Sequence, residues 1–104
     1  MFASNVVPFE NPLHDAGRCT NHVRNCLDRN EIDFEQPHFR DRLRERDITM
    51  RQVLLTLRKG EIIGVPKKDV HGDVRIKMKR FVAGRTIQVV VALNVRKCRV
   101  VTVI

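Results

Sequence analysis

The hydrophobic period of this chain changes once, at Gly60, and that change dictates its fold class. Before Gly60, apolar residues recur at steps of three and four, as in helices with one buried face. After it they alternate with polar residues or run in short β-branched stretches, as in strands. Helices first and sheet second is the order of an α+β layer, with the helices packed on one sheet face. The sequence therefore predicts about three helices followed by a three- to four-stranded antiparallel sheet.

The stretch from His38 to Gly60 carries the densest local signals. Pro37 suits a first helical position, where its missing N–H costs nothing. Phe39 and Leu43 form an apolar stripe, so a helix is expected from Pro37 to about Asp47. Thr49-Met50-Arg51-Gln52 then reads as a capping box, with Ile48 and Val53 placed as a hydrophobic staple. The next helix carries Val53, Leu54 and Leu57. It closes on Arg58-Lys59, favourable at a negative helix end, and on Gly60, expected in a left-handed conformation.

Upstream, Met1–Pro12 reads as an extended lead-in, leaving residues 13–104 as one domain. Leu13, Ala16, Cys19, Val23, Cys26 and Leu27 predict an amphipathic helix to about Arg29, weakened by Gly17. Asn30–Gln36 is an acidic connector, with Ile32 and Phe34 tucked against the core. Downstream, Glu61–Val65 is a short strand ended by Pro66, and Lys67–Asp73 a loop. Val74, Ile76, Met78 and Val82 then alternate with Arg75, Lys77, Lys79 and Phe81. Ala83-Gly84 turns into Thr86–Leu93, apolar enough for a central strand covered on both faces. Asn94–Lys97 turns again, and Cys98–Ile104 is the last strand, whose open edge suits pairing with a second copy.

Charge narrows the function classes. The chain has 104 residues and a net charge of +8. Residues 1–35 hold three Arg against six acids, whereas residues 61–104 hold ten basic side chains against three acidic ones. A basic surface confined to the later segments points to a polyanion, nucleic acid more than membrane. A basic protein without such a partner gives the same composition. No apolar run is long enough to span a bilayer, and no charged n-region precedes a hydrophobic core, so neither a membrane segment nor a signal peptide is expected. Three cysteines make an odd count, as expected of a reducing cytoplasm. Cys19, His22 and Cys26 share one helix face and are good zinc ligands. A structural zinc site draws its ligands from two elements, however, and no C-x-x-C pair supplies the second, so no metal and no cofactor is expected. Nor is there a nucleotide-binding glycine loop, a Ser or Cys nucleophile motif, or an acidic metal cluster.

His38, Arg42 and Arg46, each four residues apart, fall on one helix face. Two guanidinium groups beside an imidazole can hold a phosphate and exchange a proton. A solvated face softened by Asp41 and Glu45 explains the pattern equally well, because like charges at this spacing cost only a few tenths of a kcal/mol. Arg75, Lys77 and Lys79 give one strand a strongly basic face or edge, which with a nucleic acid as partner would be its phosphate track, Arg85 adding a further cation. An edge-protecting strand would carry such charges too.

The order of these motifs resembles a family. His38, Arg42, Arg46, Ile48 and Thr49, then Gly60, Arg75, Gly84 and Arg85, then Thr102 and Val103, match the small bacterial proteins grouped as domain of unknown function 4258, over about residues 36–104. The resemblance implies an α+β fold with no settled activity. More distantly the chain resembles the RelE, BrnT and MqsR toxins, small basic ribonucleases of toxin–antitoxin pairs. That analogy implies metal-independent RNA cleavage with His38 as acid or base, Arg42 and Arg46 on the phosphate, and an acidic antitoxin as partner. The alternatives are a non-catalytic nucleic-acid-binding module and a dimerisation domain.

Overall fold

A computed structural model describes residues 15–104. The expected lead-in of residues 1–12 and the start of the first helix at Leu13 lie outside the described residues. The helices are α1 (Ala16–Asp28), α2 (Pro37–Arg46) and α3 (Met50–Lys59). The strands are β1 (Ile32–Asp33), β2 (Glu61–Lys68), β3 (Val74–Val82), β4 (Arg85–Leu93) and β5 (Cys98–Val103). They form one sheet in the order β1-β5-β4-β3-β2.

The helix signals act as their chemistry predicts. The Asp15 carboxylate caps α1 by accepting from the Arg18 N–H at 2.8 Å. Pro37 opens α2, which Asp47 closes in a left-handed conformation (φ 54°, ψ 50°). Both arms of the capping box are present, with Gln52 N–H donating to the Thr49 hydroxyl at 3.1 Å and Thr49 N–H donating to the Gln52 side-chain oxygen at 2.9 Å. Gly60 departs from expectation: its backbone is extended (φ −76°, ψ 179°), not left-handed. Glycine is needed there for space. A Cβ would stand 2.4 Å from the Thr56 carbonyl oxygen and 2.5 Å from that of Lys79, where the end of α3 touches β3.

The sheet is larger and less regular than three or four antiparallel strands. β2 to β5 form an antiparallel meander, but Ile32 and Asp33 pair in parallel with Cys98 and Arg99. Two residues are too few to show a period, so the acidic connector hid a strand. β5 is therefore not a free edge where β1 covers it. β2 continues through Pro66 to Lys68, because its register shifts between Ile63 and Lys67. Gly64, Val65 and Pro66 bulge opposite Ile76, and an edge-strand bulge tolerates a residue without an N–H. A second irregularity between the pairs Val90–Thr102 and Val91–Val100 makes Val101 an extra residue and turns both Val100 and Val103 inward.

All three helices pack on one sheet face. Cys19, Val23 and Cys26 of α1, Phe39 and Leu43 of α2, and Val53 and Leu57 of α3 join one core with Val74, Ile76, Met78, Ile87, Val89, Val91, Leu93, Cys98, Val100 and Val103. Strand alternation fixes the rest: Arg75, Lys77, Lys79, Thr86, Gln88 and Val90 face the other way. No helix lies on that face among the described residues, so β4 is largely covered on one side, and only its end is buried on both, with Ala92 2% exposed between Val91 and Leu93. α1 is part of the common core, not an appendage to it. No helix among the described residues is long and apolar enough to cross a membrane.

Candidate functional site

The sequence leaves open whether its two groups of cations share one site, and the fold separates them. The apolar stripe of α2 faces the core, so His38, Arg42 and Arg46 lie on the helix layer. The side chains of β3 at 75, 77 and 79 lie on the uncovered face, because 74, 76 and 78 are buried against the helices. The sheet stands between the two groups.

The α2 group is open to solvent. His38 and Arg46 are exposed, and their side chains have no hydrogen-bond or ion-pair partner among the described residues. Arg42 pairs with Glu45 at 3.7 Å. Nothing in this arrangement buries the imidazole or aims the two guanidinium groups at a shared point with it.

Arg85 has a structural task. Its guanidinium donates to the carbonyl oxygens of Arg46 at 2.6 Å and Asp47 at 3.1 Å. It thus satisfies orphan acceptors at the negative end of α2, which no local motif in the sequence could reveal.

The uncovered face carries a row of basic side chains along β3, joined on β2 by Lys67. Across the sheet, Lys67 sits opposite Arg75, Ile63 opposite Lys77, and Glu61 opposite Lys79. At one end, Ile63, Gly64, Val65, Lys67, Arg75 and Lys77 line a groove of about 430 Å³, opened by the β2 bulge. At the other end, a second groove of about 330 Å³ lies among Lys59, Gly60, Glu61, Lys79, Arg80, Phe81 and Thr86. Phe81 is 69% exposed there, so its ring is open to solvent. Phe81 shares the face of Lys79, as the strand pattern implies, whereas Lys59 at the end of α3 and Arg80, with the parity of Val74, Ile76 and Met78, border this groove from the helix side. Arg80 is drawn in because it donates to the Lys59 carbonyl at 3.3 Å.

Two acids temper this row. Glu61 lies 4.0 Å from Lys79, and Asp69 lies 3.3 Å from Arg75. Asp69 also organises the β2–β3 loop, accepting from the N–H groups of His71 (2.8 Å) and Asp73 (3.1 Å). Partial burial pushes its carboxyl upward, but the His71 N–H, the Arg75 guanidinium and the Asp73 N–H hold it below its ordinary value. Exposed ion pairs contribute about 0.2–1 kcal/mol, so a phosphate displaces a partner such as Glu61 at small cost.

A third group assembles on the helix side. The turn at Asn94–Lys97, held by the Asn94 side chain accepting from Arg96 and Lys97 N–H, delivers Cys98 beneath α1. Ligand atoms of His22, Cys26 and Cys98 lie within 4.8 Å of one another. The Nε2 of His22 is 3.7 Å from the Cys26 sulfur and 2.5 Å from the Asn94 carbonyl oxygen. Burial pushes the Cys98 thiol well above its ordinary value, reinforced by Cys26. Burial likewise pushes Cys19 up to about 11, aided by Asp15. The second element missing from the sequence pattern is thus β5, some seventy positions downstream.

The domain of unknown function family DUF4258 matches residues 36–104, more than half of the chain, and the chain belongs to it. That region spans α2 to β5 and leaves α1 outside. No curated protein and no solved structure matches the chain.

Proposed function

We propose that this protein binds single-stranded nucleic acid, RNA in the first instance, along the uncovered face of β2 and β3. The observation that carries this reading is the row Lys67, Arg75, Lys77 and Lys79, four cations on the uncovered face that border two grooves, with Phe81 exposed at the end of the row. Cations spaced along a strand track a phosphate backbone, and an exposed ring offers a face on which one base stacks. An open sheet face admits splayed bases, whereas a duplex hides them. The helix-side residues His38, Arg42 and Arg46 take no part in this contact.

The test is fluorescence anisotropy with a labelled RNA oligonucleotide across a salt series. Contact with about four phosphates gives a slope of log affinity against log salt near −3. Lys77→Glu should weaken binding at least tenfold and flatten the slope. Phe81→Ala should lose about 1–3 kcal/mol of affinity with the slope retained, because stacking carries no counterion release. His38→Ala should bind as wild type. Affinity indifferent to salt, or unchanged by Lys77→Glu, refutes the proposal. The same RNA run on a gel in the presence of a chelator distinguishes the toxin-like reading. Metal-independent cleavage that His38→Ala or Arg42→Ala abolishes would assign ribonuclease chemistry to α2 instead.

A further inference from the structure

We propose that His22, Cys26 and Cys98 form a binding site for a soft divalent metal of the zinc type, clamping α1 to β5. Three donors of the kinds zinc prefers converge from two elements far apart in sequence, with all ligand atoms within 4.8 Å of one another. Zinc–sulfur and zinc–imidazole bonds of about 2.3 and 2.0–2.1 Å, at a tetrahedral angle, set the ligands about 3.6 Å apart. The Cys26 sulfur and the His22 Nε2 already stand 3.7 Å apart. On α1 the two are one turn apart, and the Asn94 turn fixes where Cys98 arrives.

Chemistry and burial agree with this assignment. Both sulfurs are buried, whereas His22 is half-buried and supplies the side from which an ion enters. Two sulfurs and an imidazole, with no carboxylate in the 4.8 Å group among the described residues, select a thiolate-seeking ion over magnesium or calcium. Binding displaces two thiol protons to solvent, one from each cysteine. The Nε2 of His22 must also face the ion as a lone pair. Its proton then resides on Nδ1, and the contact with the Asn94 carbonyl ceases to be a hydrogen bond. Three protein ligands leave the fourth position to water or an added thiol. Cys19, on the same helix face, is not part of the 4.8 Å group. His22 and Cys26 lie outside residues 36–104, whereas Cys98 lies within them.

The experiment is a cobalt titration of the full chain, untagged, reduced and kept under argon. Expected is a one-to-one end point, with the intense visible bands of tetrahedral cobalt, a near-ultraviolet thiolate-to-cobalt band, and displacement of both by zinc. Cys26→Ser and His22→Ala should each weaken binding roughly 100-fold or more, beyond the 10–100-fold typical of residues that only support a ligand. Cys98→Ser completes the set, but its buried position invites misfolding. The half-buried His22→Ala, whose helix content is checked by circular dichroism, therefore keeps the test decisive. His71→Ala, an exposed histidine outside the cluster, should leave the titration unchanged. Absence of the charge-transfer band in the reduced wild type overturns the proposal. So does a band that survives both Cys26→Ser and His22→Ala.

Discussion

Gly60→Ala is the substitution whose cost the structure defines most sharply. The backbone at Gly60 is extended, so an alanine meets no torsional penalty there. The penalty is steric. The new methyl would lie 2.4 Å from the Thr56 carbonyl oxygen and 2.5 Å from the Lys79 carbonyl oxygen. Both are backbone atoms, so relief requires parting the last turn of α3 from β3. Overpacking ordinarily costs about 1–3 kcal/mol, and a double clash against backbone belongs at the upper end, near 3 kcal/mol. Domains of this size have about 5–15 kcal/mol in total, and a loss of that order lowers the melting midpoint by roughly 12–24 °C. Gly84 is the control. It has φ +82° and nothing within 4 Å of a built Cβ, so Gly84→Ala carries only the left-handed penalty of about 1–2 kcal/mol. Urea denaturation followed by far-ultraviolet circular dichroism measures both. If Gly60→Ala proves cheaper than Gly84→Ala, or lies within 1 kcal/mol of wild type, the close approach of α3 and β3 is not what holds this glycine. Gly60→Asn separates the alternatives further: a left-handed cap tolerates asparagine, whereas a crowded junction rejects it more strongly than alanine.

Three further outcomes follow from single contacts. Arg85→Ala removes two hydrogen bonds from the end of α2 and should destabilise the protein by about 1–2 kcal/mol in the same denaturation assay while leaving RNA affinity intact. Ala83, at φ +52° beside Gly84 in the β3–β4 turn, occupies a position that favours Asn, so Ala83→Asn should raise stability by about 0.5–1 kcal/mol. The Asp69 carboxyl is held below its ordinary value of 3.8, so its stabilisation is complete above that pH and is lost as pH falls through the lowered value. The melting midpoint of wild type should therefore drop more between pH 5 and pH 3 than that of Asp69→Asn.

What the sequence disclosed depended on the range over which each signal acts. The capping box at Thr49–Gln52, the start of α2 at Pro37 and the Ala83-Gly84 turn are decided by neighbours within four positions, and all were legible. The separation of His38, Arg42 and Arg46 from Arg75, Lys77 and Lys79 was also legible in principle. Once Val74, Ile76 and Met78 face the helices, parity sends their neighbours to the opposite side. Arg85 at the end of α2, Cys98 beneath His22 and the pairing of Ile32 with Cys98 depend on tertiary approach, and no local pattern encodes them. Gly60 was read for the right residue and the wrong reason. The last turn of a helix commonly calls for left-handed freedom, and only the packed strand shows that space is the demand.

The placement of β5 between β1 and β4 sets an order of events. Hairpins of β2, β3 and β4 close over a few residues, but Ile32 and Asp33 must wait for Cys98 and Arg99. Closing a loop of that length costs about 1.7 kcal/mol more in chain entropy than closing one of ten residues. During synthesis the first described strand thus stays unpaired while most of the sheet forms, and the parallel pair is the final stitch. Pulse-labelled hydrogen exchange during refolding should find Val89 and Val91 protected before the amides at the β1–β5 junction.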